Sequence, residues 1–372
     1  MRPRLIVAAL VAAAACSRGP GYQVAVSGSS DVYNAAKLAA RDVNARRPVG
    51  GGGIHVLPAA TRPGTPDGAQ LREKAADPSL VAALEQGARD RVTAEVRAYV
   101  DAGVPVLSMT PGLPIHSPYL FLLAPPRGDM TRLMADRAIQ LWSPHRAVII
   151  RSTDSYGSVV HDSLARNLRG RLQVVGDETV AIDADTGALA SLTRRVAEAR
   201  PDVIFWLAPV RPLWVIVNRL RGDLPDTYIM ASDAVESPRV HSNDNESFNG
   251  LVFARLASPA DTGEVGQSSS WTQAMVGKPD DALAYDAIGV LAAALRDGAR
   301  TRPAIQQYLA SLGRTRPAFK GLSGPVAFDS AGVINRRYQL VEVTSAGTFA
   351  VPERRDTAAA KPAGKRAAKP RG

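Results

Sequence analysis

Between Tyr22 and Pro352, short apolar runs alternate with segments of helical period, and this alternation constrains the fold more than any other feature of the chain. The strand-like YQVAVSG is followed by Val32, Ala35, Ala36, Ala39, Ala40 and Val43, spaced for one helix face. A Gly-rich turn, Gly50 to Gly53, precedes IHVLPA. A helix bearing Val92, Val96, Tyr99 and Val100 is closed by Gly103 and leads into VPVLSM. Met130, Leu133, Met134, Ala138 and Leu141 mark another helix, which feeds RAVIIRS. The alternation continues through helices at about 156–168, 187–199, 211–221, 280–298 and 303–311 and the runs LQVVGDETV, DVIFWLA, TYIMAS and GLVFARL. It ends on GPVAFD, RYQLVEVTS and GTFAVP. Repeated βα units build parallel sheets covered on both faces, so the pattern predicts an α/β protein of two doubly wound units in tandem. The length of 372 residues suits two such domains.

Two segments stand outside that pattern. Residues 1–15 join Arg2 and Arg4 to an apolar run, Leu5 to Ala15, that is shorter than the ~20 apolar residues a spanning helix needs. It reads as a secretion signal. The run stops at Cys16, the single cysteine, after Ala13, Ala14 and Ala15. This resembles a bacterial lipobox, with Ala13 where leucine is usual, and implies cleavage before Cys16, lipidation of its thiol, and residues 16–21 as a tether. A plain signal peptide with a chance cysteine is the alternative. Beyond residue 352 lies an Ala/Lys/Pro/Arg-rich tail, 353–372, without hydrophobic period, expected to be disordered. The tail is either a contact for anionic lipid or wall polymers or an inert solubilising extension.

These segments account for the charge. The net +10 suggests nucleic acid at first, yet the signal and tail carry most of it and leave +3 on the rest, so no nucleic-acid partner is expected. Catalytic signatures are missing from the sequence. His55, His116, His145, His161 and His241 are scattered without metal-ligand spacing, GLSGP lacks the second glycine of a nucleophile elbow, and there is no G-x-x-x-x-G-K-[ST]. Trp142, Trp206, Trp214 and Trp271 suit core or lobe surface. No enzyme activity, metal or cofactor is expected.

The order of the segments AAKLAARDVNARRPVGGGGIHV, AGVPVLSMT, RAVIIRSTDSYGSVV, RPDVIFW, DALAYDAIGVLAAAL and GLSGPVAFDSAGVINRRYQLVEV resembles the type I periplasmic substrate-binding proteins, specifically the branched-chain amino-acid (Leu/Ile/Val) binding family of ABC importers. The resemblance implies two α/β lobes joined by crossing strands, with a ligand trapped in the cleft on hinge closure. The expected division is 22–124 and 251–324 for the first lobe, and 125–250 and 325–352 for the second. It also implies a place in the bacterial envelope, on the extracytoplasmic face of a membrane, a small-molecule ligand (an amino acid or related carboxylate) and an ABC permease as partner. The alternative is an envelope lipoprotein that uses the same fold as a protein-interaction or regulatory module.

Ligands of open parallel sheets sit beyond the carboxyl ends of the strands, which singles out four loops. In SGSSD, Ser29 is a ligand donor or only a helix cap. In SMTPG, Ser108 and Thr110 offer hydroxyl and backbone donors to a carboxylate, and the family contacts its ligand with this stretch. Tyr156 of DSYGS matches the family's cleft tyrosine, and Asp233 of MASDA falls where the family places the acid for the ligand's ammonium, with a turn cap as the alternative. Where the family reads Gly-x-x-x-Ser-Gly, this chain has Gly87, Ala88, Arg89, Asp90 and Arg91. Either Arg89 or Arg91 replaces the hydroxyl as an anion clamp, or the two face water and that part of the site is lost.

Overall fold

The computed structural model describes residues 21–351 apart from 47–48, 50–51, 60–67, 238–239, 241–245, 258–278 and 346. The signal, Cys16, the basic tail, His241 and Trp271 lie outside the described residues. Five parallel strands form the first sheet: β1 (Tyr22–Ser27), β2 (Ile54–Pro58), β3 (Leu80–Glu85), β4 (Val106–Ser108) and β5 (Leu120–Leu122), in the order β2-β1-β3-β4-β5. All six residues of β3 are buried, as expected of a central strand covered on both faces. One face is covered by α1 (Ser30–Arg46), the other by α2 (Gly68–Ala76) and α3 (Arg89–Asp101).

The chain then crosses to a second lobe and forms α4 (Arg127–Trp142), β6 (Arg146–Ser152), α5 (Ser155–Leu168), β7 (Gln173–Val180), α6 (Thr186–Ala199), β8 (Val203–Leu207), α7 (Val210–Asp223), β9 (Tyr228–Ala231) and β10 (Leu251–Leu256). It returns to the first lobe for α8 (Pro279–Arg296), α9 (Arg302–Ser311) and the short pair β11 (Phe319–Lys320) and β12 (Pro325–Val326). It ends with β13 (Tyr338–Thr344) and β14 (Gly347–Ala350), both antiparallel, at the edge of the second sheet, whose order is β14-β13-β10-β9-β8-β6-β7. Helices α4 and α5 cover one face of that sheet, and α6 and α7 cover the other.

Two of the expected lobe boundaries need correction. Residues 251–256 belong to the second lobe, because β10 pairs with β9. Residues 325–334 belong to the first, because Val326, Phe328 and Ile334 are buried in the core shared by α1 and α8, and the Ile334 amide donates to Leu122 O at 2.8 Å. The second sheet is largely parallel, as expected, with an antiparallel edge formed by β13 and β14. Three crossing segments therefore lie near Pro125, Ala257 and Arg336. The Ala257 amide donates to Arg337 O at 3.0 Å, and the Tyr338 hydroxyl donates to Pro125 O at 3.4 Å.

Candidate functional site: the cleft between the lobes

In each sheet the order reverses between the first strand and the third, at β1/β3 in one lobe and β6/β8 in the other. Such a switch point leaves a crevice outside the strand ends. In the first lobe the crevice is built by the loops after β1 and β3. Ser29 Oγ accepts from the Val32 amide at 3.3 Å and so caps α1, while the Ser29 amide donates to Gln86 Oε1 at 3.0 Å. Gln86 Nε2 in turn donates to Asp280 Oδ2 at 2.7 Å, which ties the start of α8 to the same rim.

In the second lobe, Asp154 caps α5 by accepting from the Gly157 amide at 2.9 Å. A side chain on Gly157 would run into the backbone of Ser152, so a glycine at this position lets α5 start against the end of β6. This cap and close packing position Tyr156. Its hydroxyl donates to Asp233 Oδ1 and accepts from the Ser232 hydroxyl at 2.8 Å, at the end of β9. Burial and the Asp233 charge push the Tyr156 hydroxyl well above its ordinary pKa, so it stays a donor. Arg127, from the first crossing, stacks on the Tyr156 ring with its guanidinium carbon 4.5 Å from the centroid. Burial is the largest single influence and works against the Arg127 charge, but Asp233, Tyr156, Tyr338 and Asp280 together outweigh it and the pKa rises. Arg127 Nη1 is buried without a hydrogen-bond partner among the described residues.

Arg127 and Tyr156 line two adjoining cavities. One, of about 460 Å3, also holds Ser29, Gln86, Asp233, Asp280 and Tyr338, and the other, of about 500 Å3, holds Ala88, Arg89, Thr110 and Gly112. Both are in the range of small-molecule sites. Of the residues expected from sequence, the structure brings Ser29, Arg89, Thr110, Tyr156 and Asp233 to these walls. Arg89 donates to Gly112 O there, and Thr110 Oγ1 donates to Gly87 O at 3.1 Å, joining the loops after β3 and β4.

Two expectations are corrected. Ser108 is fully buried and lines neither cavity, and its Oγ accepts from the Thr110 amide at 3.1 Å. Arg91 turns inward as well. Its Nη1 lies 2.7 Å from the buried Glu95 Oε1 and also donates to Ser27 Oγ, and its Nη2 donates to Gln86 O at 2.6 Å. A buried carboxylate one helical turn away draws in the guanidinium, which is then unavailable as an anion clamp. The spacing of Arg91 and Glu95 was the sequence signal for this pairing. Arg127, Gln86 and Asp280 were missed: Arg127 follows a Pro-Pro pair on a crossing segment, away from any strand end, and Asp280 reaches the rim only because α8 returns to the first lobe.

A family model described as periplasmic binding protein matches residues 19–348. The chain belongs to the periplasmic binding protein family. This is a family of extracytoplasmic solute-binding proteins and not of enzymes, in line with the sequence resemblance. Solved structures of similar fold include the branched-chain amino acid transporter substrate-binding protein LivJ from Streptococcus pneumoniae in complex with isoleucine, at 18% identity over 89% of this chain and 99% of that one, with a TM-score of 0.65. They also include the leucine-binding protein LivK from Thermotoga maritima, at 17% identity over 89% and 98%, with a TM-score of 0.66. A solute-binding protein from R. palustris in complex with benzoate is 14% identical over 89% and 95%, with a TM-score of 0.66. No curated protein matches the chain. Among the described residues, no helix is long and apolar enough to cross a membrane, and no group of three or more His, Cys, Asp or Glu could hold a metal ion.

Proposed function

We infer that this periplasmic binding protein closes its two lobes over an amino acid or related small carboxylate and delivers it to an ABC permease, from a lipid anchor on Cys16. The observation that carries the reading is the arrangement of Arg127, Tyr156 and Asp233 at the cleft. A buried guanidinium N–H without a partner suits a carboxylate, and the acid beside it suits an ammonium. Isoleucine and benzoate, bound by two proteins of similar fold, both carry a carboxylate, and this supports the choice of ligand class. Closure follows when the solute binds the closed arrangement better than the open one.

Thermal-shift screening against amino acids, amides, aromatic acids and dicarboxylates tests the reading, because a ligand raises the melting temperature by mass action. Stabilisation by at least one carboxylate is expected, and it should be lost in Arg127→Met. A flat response across the panel defeats the transport role and leaves the protein-interaction module. Incorporation of labelled palmitate, abolished in Cys16→Ser, tests the anchor.

A further inference from the structure

The two cavities that meet at Arg127 and Tyr156 differ in charge. Among the described residues, the larger one is walled by Arg89, Arg127 and Arg166 against the single acid Asp90. Among the same described residues, the smaller is walled by the carboxylates of Asp31, Asp233, Glu236, Asp280 and Asp281, with Arg127 as the one base. Glu236 lies 3.4 Å from Arg255, and Asp233 and Asp280 both lie in the field of Arg127, which they share. The hydrogen-bond donor to Asp280 is the neutral amide of Gln86, so one guanidinium, that of Arg127, faces two acids. Crowding by the surrounding protein pushes the Asp280 carboxyl up despite the Gln86 bond, and Asp233 adds to the effect. Asp233 belongs to the second lobe and Asp280 to the first, so two like charges confront each other across the cleft.

An α-ammonium group satisfies one of the two acids and leaves the other. We propose that the preferred solute carries a second cationic nitrogen, an ammonium or guanidinium, held in the acidic cavity between Asp233 and Asp280. This rests on the reading of the cleft as a solute-binding site. A cation there cancels the repulsion that opposes approach of the lobes, so the group that gives specificity also favours closure. A neutral apolar side chain leaves the repulsion in place.

Calorimetric titration at low salt with L-lysine, L-norleucine and putrescine tests the assignment, because norleucine has the same chain length as lysine without the terminal ammonium. Lysine is expected to bind at least about tenfold more tightly than norleucine, and Asp280→Asn, checked for folding by its melting temperature, to remove that preference. Equal or tighter binding of norleucine overturns the inference and leaves the solute-binding reading intact. A lysine preference that survives Asp280→Asn overturns the role of Asp280. Putrescine binding without either amino acid upholds the cation assignment and overturns the amino-acid reading. Absence of binding here and across the wider panel overturns both.

Discussion

The guanidinium of Arg127 lies over the ring of Tyr156 with its carbon 4.5 Å from the centroid, joining a segment that crosses between the lobes to the first turn of a second-lobe helix. The same phenol donates to Asp233 and accepts from Ser232, so one side chain orders both a cation and an anion at the cleft. Tyr156→Phe should keep the stack and lose both hydrogen bonds, lowering affinity for the best solute about tenfold and stability by about 1 kcal/mol. Tyr156→Leu should cost more in binding, because Arg127 loses its support. Calorimetry and denaturant unfolding check both, and a Phe variant that binds as tightly as the parent removes the hydroxyl from the site.

Two nearby arginines should behave differently. Arg91→Met strands the buried Glu95 carboxylate and should lower stability by about 2–4 kcal/mol in urea unfolding. Arg89→Met, at an exposed position, should change stability by less than about 0.5 kcal/mol. Similar losses from both would contradict the inward role of Arg91.

The carboxyls of Glu85 and Glu95 divide one environment unequally. Burial and the neighbouring Glu95 push Glu85 well above the usual carboxylate range. Burial also works against Glu95, but Glu85, Ser27 and Arg91 together hold it below that range. Glu85→Gln replaces a protonated acid with a neutral isostere and should stay within about 1 kcal/mol of the parent at pH 7, whereas Glu95→Gln should cost about 2 kcal/mol or more by breaking the pair with Arg91. Equilibrium unfolding of the two variants gives the comparison, and a reversed order would refute the assignment of charges.

Asp286 gives a pH dependence of definite sign. Its carboxyl is 2% exposed, and burial raises it from an ordinary 3.8 to about 6 even though it accepts from the Leu322 and Ser323 amides at 2.7 Å. With the folded value above the unfolded one, the folded protein binds the proton more tightly. Its contribution is full below pH 4 and is lost as pH rises through about 6, amounting to about 2–3 kcal/mol. Denaturation midpoints from pH 4 to 7, compared between the parent and Asp286→Asn, should show this fall in the parent alone.

Much of the fold was legible because its strands are bounded and its helices amphipathic. Tyr22–Ser27, Arg146–Ser152 and Val203–Leu207 are strands where the apolar runs predict them. The strand Leu80–Glu85 was not legible, because LVAALE is an apolar, alanine-bearing run that suits a buried helix turn as well as a strand covered on both faces. The nine-residue helix Gly68–Ala76 buries only Leu71 and Ala75, too few positions to show a period. At the cleft, the strand-end rule led to Ser29, Thr110, Tyr156 and Asp233 because each follows a strand directly. It could not lead to Arg127 or Asp280, which reach the cleft through chain crossings that only tertiary structure defines. Nor could it show that Ser108 and Arg91 turn away, since both are drawn inward by partners of their own.

The interleaved chain path also sets a timetable for synthesis. The core around Val32 and Val81 is not closed until Leu283 and Ile288 arrive, about 250 residues after the first and about 200 after the second, and the second sheet lacks an internal strand until Tyr338–Thr344 appears. At ordinary rates of elongation the first of these waits lasts roughly 10–50 s. For that interval the growing polypeptide has neither lobe complete, and the apolar sheet faces that the late segments cover stay open to other contacts.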